Sequence, residues 1–341
     1  MNTPQIMGIL NVTPDSFSDG GRYMDVEAAV ARGMQLVADG AAIVDVGGES
    51  TRPGHIPVTS AEEQHRILEV VKRLADHSVC VSVDTRHDET AQAALDSGAT
   101  YINRIYGLYD AAGTQVAVDP GFGFVDTYEE DLDLWAGLDA LVAGPVPVMV
   151  GFSRKRFVGR ISGIADPIQR DEASAQLALA AAQHGVSIVR VHNVALTRHH
   201  LDGFATAPTV TAYVALGSNL GDRQAYLDEA VKRVDALPET TVVARSSDIE
   251  TAAQYVTDQP DFLNGAIRIQ TKLPLFAFFT ELQAIERVMG RVKEFDKGPR
   301  TIDLDLLRYG DVTYTTPELT VPHPLMHERD FVLRPLQEIT V

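Results

Sequence analysis

Cysteine is almost absent: Cys80 is the single one in 341 residues. One thiol excludes an intramolecular disulfide, and its place in an apolar, strand-like run predicts a buried side chain. Basic residues are also scarce, since 29 Lys and Arg against 47 Asp and Glu leave a net charge of −18. Nucleic acids and membrane surfaces reward basic patches, so this balance argues against both as partners. An anionic substrate would need cations gathered locally. No apolar run is long enough to cross a bilayer, and no charged-then-apolar leader opens the chain. The expectation is a cytoplasmic protein. Its length suggests about two domains, and a 45% apolar share is ample for two cores.

Through the first two-thirds, apolar strand-like runs alternate with helical ones. Strands are expected over 6–12, 42–46, 79–83, 101–105, 116–118, 146–150 and 188–191. Helical spacing covers 26–39, 61–77, 89–97, 129–142 and 170–184. Continuous apolar strands alternating with helices imply a parallel sheet, open or closed into a barrel. Each strand ends in polar residues: Asn11, Asp45, Asp84, Asn103, Asp119, Ser153 with Lys155, and Arg190 with His192. In a (β/α) barrel that edge carries the chemistry, with phosphate commonly held after the last two strands. Asp45 reads as a structural hydrogen-bonding acid, and Gly47, Gly48, Gly121 and Gly123 as turn residues. Seven strands are counted, because 106–115 is too short for a parallel crossover of a dozen or more residues.

The stretches Met7–Gly21, Asp45–Gly54, Asp119–Phe124 and Gly151–Lys155 closely resemble dihydropteroate synthase, over about residues 6 to 200. In that family a barrel joins p-aminobenzoate to a dihydropterin carrying a pyrophosphate leaving group. The resemblance implies that Asn11 contacts the metal or pyrophosphate, while Arg52, Arg190 and His192 hold phosphates. It places Asp84, Asn103 and Asp119 on the polar pterin edge, with Lys155 beside the ring. Thr51, Pro53 and Ser153 would border the aminobenzoate. Thr13–Gly21 reads as a mobile lid carrying Asp15 and Phe17 over the site. Between Ile105 and Val116 one helix–strand–helix unit of the family is missing. Arg104 replaces the acid usual after Asn103, which puts a cation beside the pterin pocket.

Periodicity is lost over 201–209, so 205–210 is expected to be a linker between domains 1–204 and 211–341. His199 and His200, just before it, read as solvated. Beyond it the order becomes strand 211–216, helix 223–237, strands 241–249 and 266–270, and helix 275–289. That is a ferredoxin-like α+β pattern. In the run Gly298–Leu307, Asp303 and Asp305 fall on one face because strand side chains alternate with a period of two. Paired carboxylates suit a hard cation such as Mg²⁺. Arg291, Lys293 and Arg300 stand near enough in sequence to grip phosphate oxygens.

With Gly217–Gly221, Gln259–Asn264, Val321–Pro324 and Arg329–Phe331, residues 211–341 look like 6-hydroxymethyl-7,8-dihydropterin pyrophosphokinase. The resemblance implies Mg²⁺ on Asp303 and Asp305, and ATP phosphates on Arg291, Arg300, His323 and Arg329. It puts Gln283 and Glu286 in the nucleotide site, although helical spacing alone leaves them exposed. Phe262, Asn264 and Phe331 match its pterin pocket.

The fold expected is therefore α/β: a TIM-barrel-like domain lacking one helix–strand–helix unit, followed by a ferredoxin-like α+β domain. The function expected is two consecutive steps of folate biosynthesis, using ATP, 6-hydroxymethyl-7,8-dihydropterin, its pyrophosphate, p-aminobenzoate and Mg²⁺. Lys155, Arg190, Arg291, Arg300, Asp303 and Asp305 would carry the chemistry. A second reading keeps the kinase active and treats the barrel as a pterin-binding or scaffolding module. A homodimer is expected to compensate for an incomplete barrel.

Overall fold

The computed structural model describes residues 3–13, 26–49, 57–254, 256–292, 295 and 298–340. Its contacts divide the chain into two compact units. Along the first 203 residues the order opens with β1 (Gln5–Asn11), α1 (Val26–Ala38), β2 (Ile43–Gly47), α2 (Ser60–Asp76) and β3 (Val81–Asp84). It continues through α3 (Asp88–Asp96), β4 (Tyr101–Arg104), β5 (Gly107–Asp110), β6 (Gln115–Val118), α4 (Tyr128–Ala136) and α5 (Leu138–Val142). It ends with β7 (Met149–Val150), α6 (Arg156–Ser162), α7 (Asp171–Gln183), β8 (Ile188–Val191) and α8 (Val194–Gly203).

The first unit is an eight-stranded sheet in the order β6-β5-β4-β3-β2-β1-β8-β7. A single parallel bridge from Val118 to Val148 joins its two ends, so the sheet is a nearly closed barrel. The count of seven strands is corrected here. Residues 106–115 make no parallel crossover; they supply β5, antiparallel to both β4 and β6. The physical reason is connection length, because antiparallel neighbours can be joined by a two-residue turn whereas parallel ones need a crossover. Leu108 of β5 is buried in the barrel core with Met7, Ile43, Ala117, Met149 and Ile188. Cys80 and Tyr101 pack against that cluster, the thiol half-buried.

Helix α2 shows why the periodicity was legible, since it buries Glu63, Ile67, Val70, Val71 and Leu74 along one stripe. Thr59 caps it by accepting from the Glu62 N–H at 3.2 Å. The single helix expected over 129–142 is two, broken at Gly137. Helices α6 and α8 were not anticipated. Helix α8 runs to Gly203, and Phe204–Thr206 adds a 3₁₀ turn, so the expected loss of periodicity gives way to helical structure there. His200 is not simply solvated: its Nε2 lies 2.9 Å from Glu172 Oε1.

The second unit takes Gly203–Val341 together with Asp126–Gly137 and Arg156–Asp166, which contain α4 and α6. Its later elements begin with β9 (Val210–Ser218), α9 (Arg223–Asp235), β10 (Thr240–Arg245), β11 (Ile249–Thr251) and β12 (Phe262–Thr271). They finish with α10 (Leu275–Val288), β13 (Asp303–Tyr309), β14 (Tyr314–Thr315), β15 (Thr320–Val321) and α11 (Asp330–Ile339). The main sheet runs β10-β12-β9-β13, with β11 on β12 and every pairing antiparallel. This is the ferredoxin-like arrangement. Helix α11 closes a core of Ala266, Leu307, Met326, Val332, Leu336 and Ile339.

Helix α10 packs against α4 within this unit. Trp135 of α4 is fully buried and donates its indole N–H to Glu281 at 3.1 Å. Tyr128 donates its hydroxyl to Gln283 at 2.6 Å, and Arg287 grips Asp133 through two contacts of 2.8 and 2.6 Å. Tyr314 is tied to α6 through the Ser162 carbonyl at 2.5 Å.

Candidate active sites

At the barrel mouth, successive strand ends bring the predicted polar residues together. Arg190, at the end of β8, reaches back across the sheet. Its Nε lies 2.7 Å from Asp45 Oδ2, and its Nη2 2.8 Å from Asp84 Oδ2. Asn103 donates its amide to the same Asp45 oxygen at 2.9 Å. Asp45 is completely buried, in keeping with its structural reading, yet its Oδ1 has no partner among the described residues. Burial pushes the Asp84 carboxyl up to about 6, and the Arg190 charge only partly offsets that. Burial alone would lower the Arg190 guanidinium, but Asp45, Asp84 and Asp119 outweigh it and hold the arginine charged. The cation expected to be open to phosphate is thus already engaged by two carboxylates.

Asp119 follows β6 and accepts the Gly121 N–H at 2.8 Å. Gly121 and Gly123 adopt φ of +88° and +74°, so the turn requires glycine at both places. Gly48 differs: a Cβ there would press on Ile67 and Glu63, and the glycine permits close packing of α2. Lys155 donates to the Phe122 carbonyl at 2.8 Å and lies 3.9 Å above the Phe124 ring. His192 Nδ1 sits 3.1 Å from Ser153 Oγ. Asn11 ends β1, where its Oδ1 faces Gly47. Arg104 turns away to pair with Asp88 at 2.6 Å, so the expected cation beside the pocket is neutralised on α3. Thr51, Arg52, Pro53, Asp15 and Phe17 lie outside the described residues.

Sequence reasoning missed the support beneath Lys155. Arg154, at φ +61°, forks onto Asp171 at 2.5 and 2.7 Å, and Asn193 donates to the same acid at 3.1 Å. Arg170 donates to the Arg154 and Lys155 carbonyls at 2.9 and 3.2 Å. Two acids opening the first turn of α7 were the only available signal, and they resemble any helix N-terminus.

In the second unit one cavity of about 270 Å³ collects most of the residues singled out there. Phe262, Asn264, Arg291, Arg300, Asp303, Asp305, His323, Arg329 and Phe331 all line it. Asp303 and Asp305 face this cavity, while Leu304 and Leu306 between and beside them are buried. Arg291 bridges Asp303 Oδ1, at 2.7 Å, to Glu286. Arg300 stands 3.4 Å from Asp303 Oδ2, with its guanidinium 5.2 Å from the Phe262 ring centre. The Arg329 guanidinium is 5.7 Å from the Phe331 ring centre. The charge of Asp303, with burial added, pushes Asp305 up to about 7. Burial pushes Glu286 up to about 8. Burial, then Arg329, lowers His323, so its ring is neutral near pH 7.

Two nucleotide-site expectations fall elsewhere. Glu286 is buried rather than exposed: it accepts the Leu304 N–H at 2.6 Å and holds Arg291. Gln283 is half-buried, spent on Tyr128, and does not line the cavity. Asn219, inside the Gly217–Gly221 stretch, is a staple. It donates to Gln259 and to the Pro260 carbonyl at 3.1 Å each, and accepts the Arg300 N–H at 2.8 Å.

Known families match both parts of the chain. The family described as pterin binding enzyme matches residues 7–115 and 109–192. The family 7,8-dihydro-6-hydroxymethylpterin-pyrophosphokinase (HPPK) matches residues 213–341. Dihydropteroate synthase of Staphylococcus haemolyticus is 38% identical over 245 residues, covering 58% of this chain and 92% of the relative. That of Mycobacterium leprae is 39% identical over 251 residues, covering 56% and 88%. Among solved structures, Xanthomonas albilineans dihydropteroate synthase with 4-aminobenzoic acid has a TM-score of 0.56 at 35% identity, covering 60% of this chain and 93% of that one. The same enzyme in complex with 7,8-dihydropteroate has a TM-score of 0.53 at 33% identity, covering 60% and 94%. The chain belongs to the pterin-binding dihydropteroate synthase family and carries a hydroxymethyldihydropterin pyrophosphokinase domain after it.

Proposed function

We propose that the chain performs two consecutive steps of folate biosynthesis, with residues 211–341 supplying the substrate that residues 1–204 consume. In the first, the hydroxymethyl oxygen of the dihydropterin attacks the β-phosphorus of ATP, and AMP leaves. In the second, the amine of p-aminobenzoate attacks the pterin methylene. The C–N bond forms, the C–O bond breaks, pyrophosphate departs with the electron pair, and the amine loses a proton.

The observation that carries this reading is the convergence of an acid pair, several arginines, two aromatics and an amide on one cavity. Pyrophosphoryl transfer asks mainly for positioning and charge neutralisation. Arg291, Arg300 and Arg329 would steady the triphosphate. Phe262 and Phe331 would sandwich the pterin while Asn264 reads its edge. His323, held neutral, can donate a hydrogen bond without adding charge. Gln283 and Glu286 act at one remove, Glu286 by aiming Arg291.

Asp303 and Asp305 fit Mg²⁺. The mutual repulsion that raises Asp305 is what a divalent cation would relieve. Among the described residues no group of three acidic, histidine or cysteine side chains forms a closed cage. Substrate phosphates and water would complete the shell, as Mg²⁺ favours, and its charge would help neutralise the transferred group. At the barrel, Asn11 offers one amide oxygen on the same terms.

In the barrel, Asp84, Asn103 and Asp119 would read the pterin edge, with Lys155 beside the ring. Arg190 orients Asp84 and keeps positive charge near the departing pyrophosphate, and His192 with Ser153 adds donors. Arg52, Thr51 and Pro53 complete the site by resemblance. Purified protein given premade dihydropterin pyrophosphate, Mg²⁺ and p-aminobenzoate, without ATP, should form dihydropteroate. Absence of product with ATP-to-AMP turnover intact would leave the kinase alone.

A further inference from the structure

The turn that joins β4 to β5 consists of Ile105 and Tyr106, between the paired residues Arg104 and Gly107. Two-residue turns of this kind place φ above zero at a central position, which glycine fills without steric cost. Here that position is Tyr106, at φ +73°. A side chain at 107 would displace the Gln115 amide and press on the Ala117 carbonyl, 3.0 Å from where its Cβ would stand. A bulky residue in the left-handed region is strained by about 1 kcal/mol or more, and such strain clusters at functional sites. The strain yields no burial in return, since Tyr106 is 62% exposed.

Its location explains what the ring is for. Strand β4 ends at the barrel mouth directly after Asn103, so the turn stands on the rim of the proposed synthase site. The Tyr106 carbonyl accepts the Asp119 N–H at 3.1 Å and the Gln115 amide at 3.1 Å. The ring edge lies against Gly121, 3.2 Å from where a Cβ would stand. The aromatic is therefore keyed to the strand end that carries Asp119, and it remains exposed.

We propose that Tyr106 is a substrate-binding residue of the barrel, an aromatic wall for the dihydropterin ring whose edge Asp84, Asn103 and Asp119 read. This inference rests on the synthase reading above. It gives the shortened β4–β6 connection a function as well as a structure.

The test uses the full chain in the ATP-free synthase assay. Tyr106→Gly removes the ring and relieves the backbone, so the thermal midpoint should hold or rise. The KM for dihydropterin pyrophosphate should increase roughly tenfold, the loss expected for one aromatic stacking partner, with the KM for p-aminobenzoate little changed. Tyr106→Asn, which also tolerates this backbone, should behave alike, and Tyr106→Phe should restore the unaltered values. An unchanged KM in folded Tyr106→Gly, beside an active unaltered protein, overturns the inference alone. Absence of product from the unaltered protein overturns the synthase reading, and this inference with it.

Discussion

Asp305 faces opposed demands. Its carboxyl is pushed up to about 7, first by the charge of Asp303 and then by burial. Between the ordinary carboxylate range and pH 7 the folded, metal-free protein therefore holds a proton that the unfolded chain has released. Stability falls as pH rises through that interval. Glu286, pushed up to about 8 by burial, has the same sign and extends the window upward. The proposed Mg²⁺ site needs the ionised acid, so the group would be costly to the fold and necessary to the chemistry. Asp305→Asn should raise the metal-free thermal midpoint at pH 8 and cut ATP-to-AMP turnover roughly a hundredfold or more. Turnover of the unaltered protein should rise through about pH 7, with added Mg²⁺ moving the midpoint to lower pH. A lower midpoint in Asp305→Asn would contradict this account. The pairing of the two acids was legible from period two alone. The role of Glu286 was not, because it depends on Arg291 and Leu304 folding back onto one helical residue.

At the scale of elements, β5 decides whether the barrel is whole. Four residues, Gly107–Asp110, replace a longer excursion by pairing antiparallel on both sides. Leu108 provides their share of the core and is 1% exposed. Leu108→Ala should destabilise the barrel by about 2–5 kcal/mol, the range for emptying such a site, read as a lower denaturation midpoint. A cost near zero would show that β5 does not belong to the barrel sheet. Sequence patterning missed it because Gly-Leu-Tyr-Asp offers one inward apolar residue, too few to show alternation. Helix α6, and the unit to which α4 belongs, were hidden for a different reason. Their sequence lies within the barrel stretch, whereas their contacts fall with α10 and Tyr314 in the second unit.

For the molecule as a whole, a net charge of −18 opposes every anionic substrate it is proposed to use. Each site answers with local cations, Arg190 and Lys155 in one unit, and Arg291, Arg300 and Arg329 in the other. The described members of each predicted group lie within one unit, so the two chemistries should separate genetically. Asp303→Asn should abolish kinase turnover while sparing use of premade dihydropterin pyrophosphate, and Asp84→Asn should do the reverse. A mixture of the two variants, given ATP, hydroxymethyl dihydropterin and p-aminobenzoate, should regain dihydropteroate by passing the intermediate through solution. Failure of the mixture, with each variant retaining its single activity, would mean that the intermediate is not released.

The sequence by itself determined what repeats locally or survives as a motif. It supplied the alternation of strand and helix, the polar residues at strand ends, the paired acids of β13 and the order of the two domains. These depend on periods of two and 3.6 residues and on side chains near one another along the chain. Tertiary structure alone decided what distant residues do to one another. It spent Arg190 on Asp45 and Asp84, stapled three loops through Asn219, buried Glu286 behind Arg291, and turned an apparent gap into an eighth strand. Those outcomes follow from hydrogen-bond and charge satisfaction across the fold, where partners are fixed by packing and leave no periodic trace in the chain.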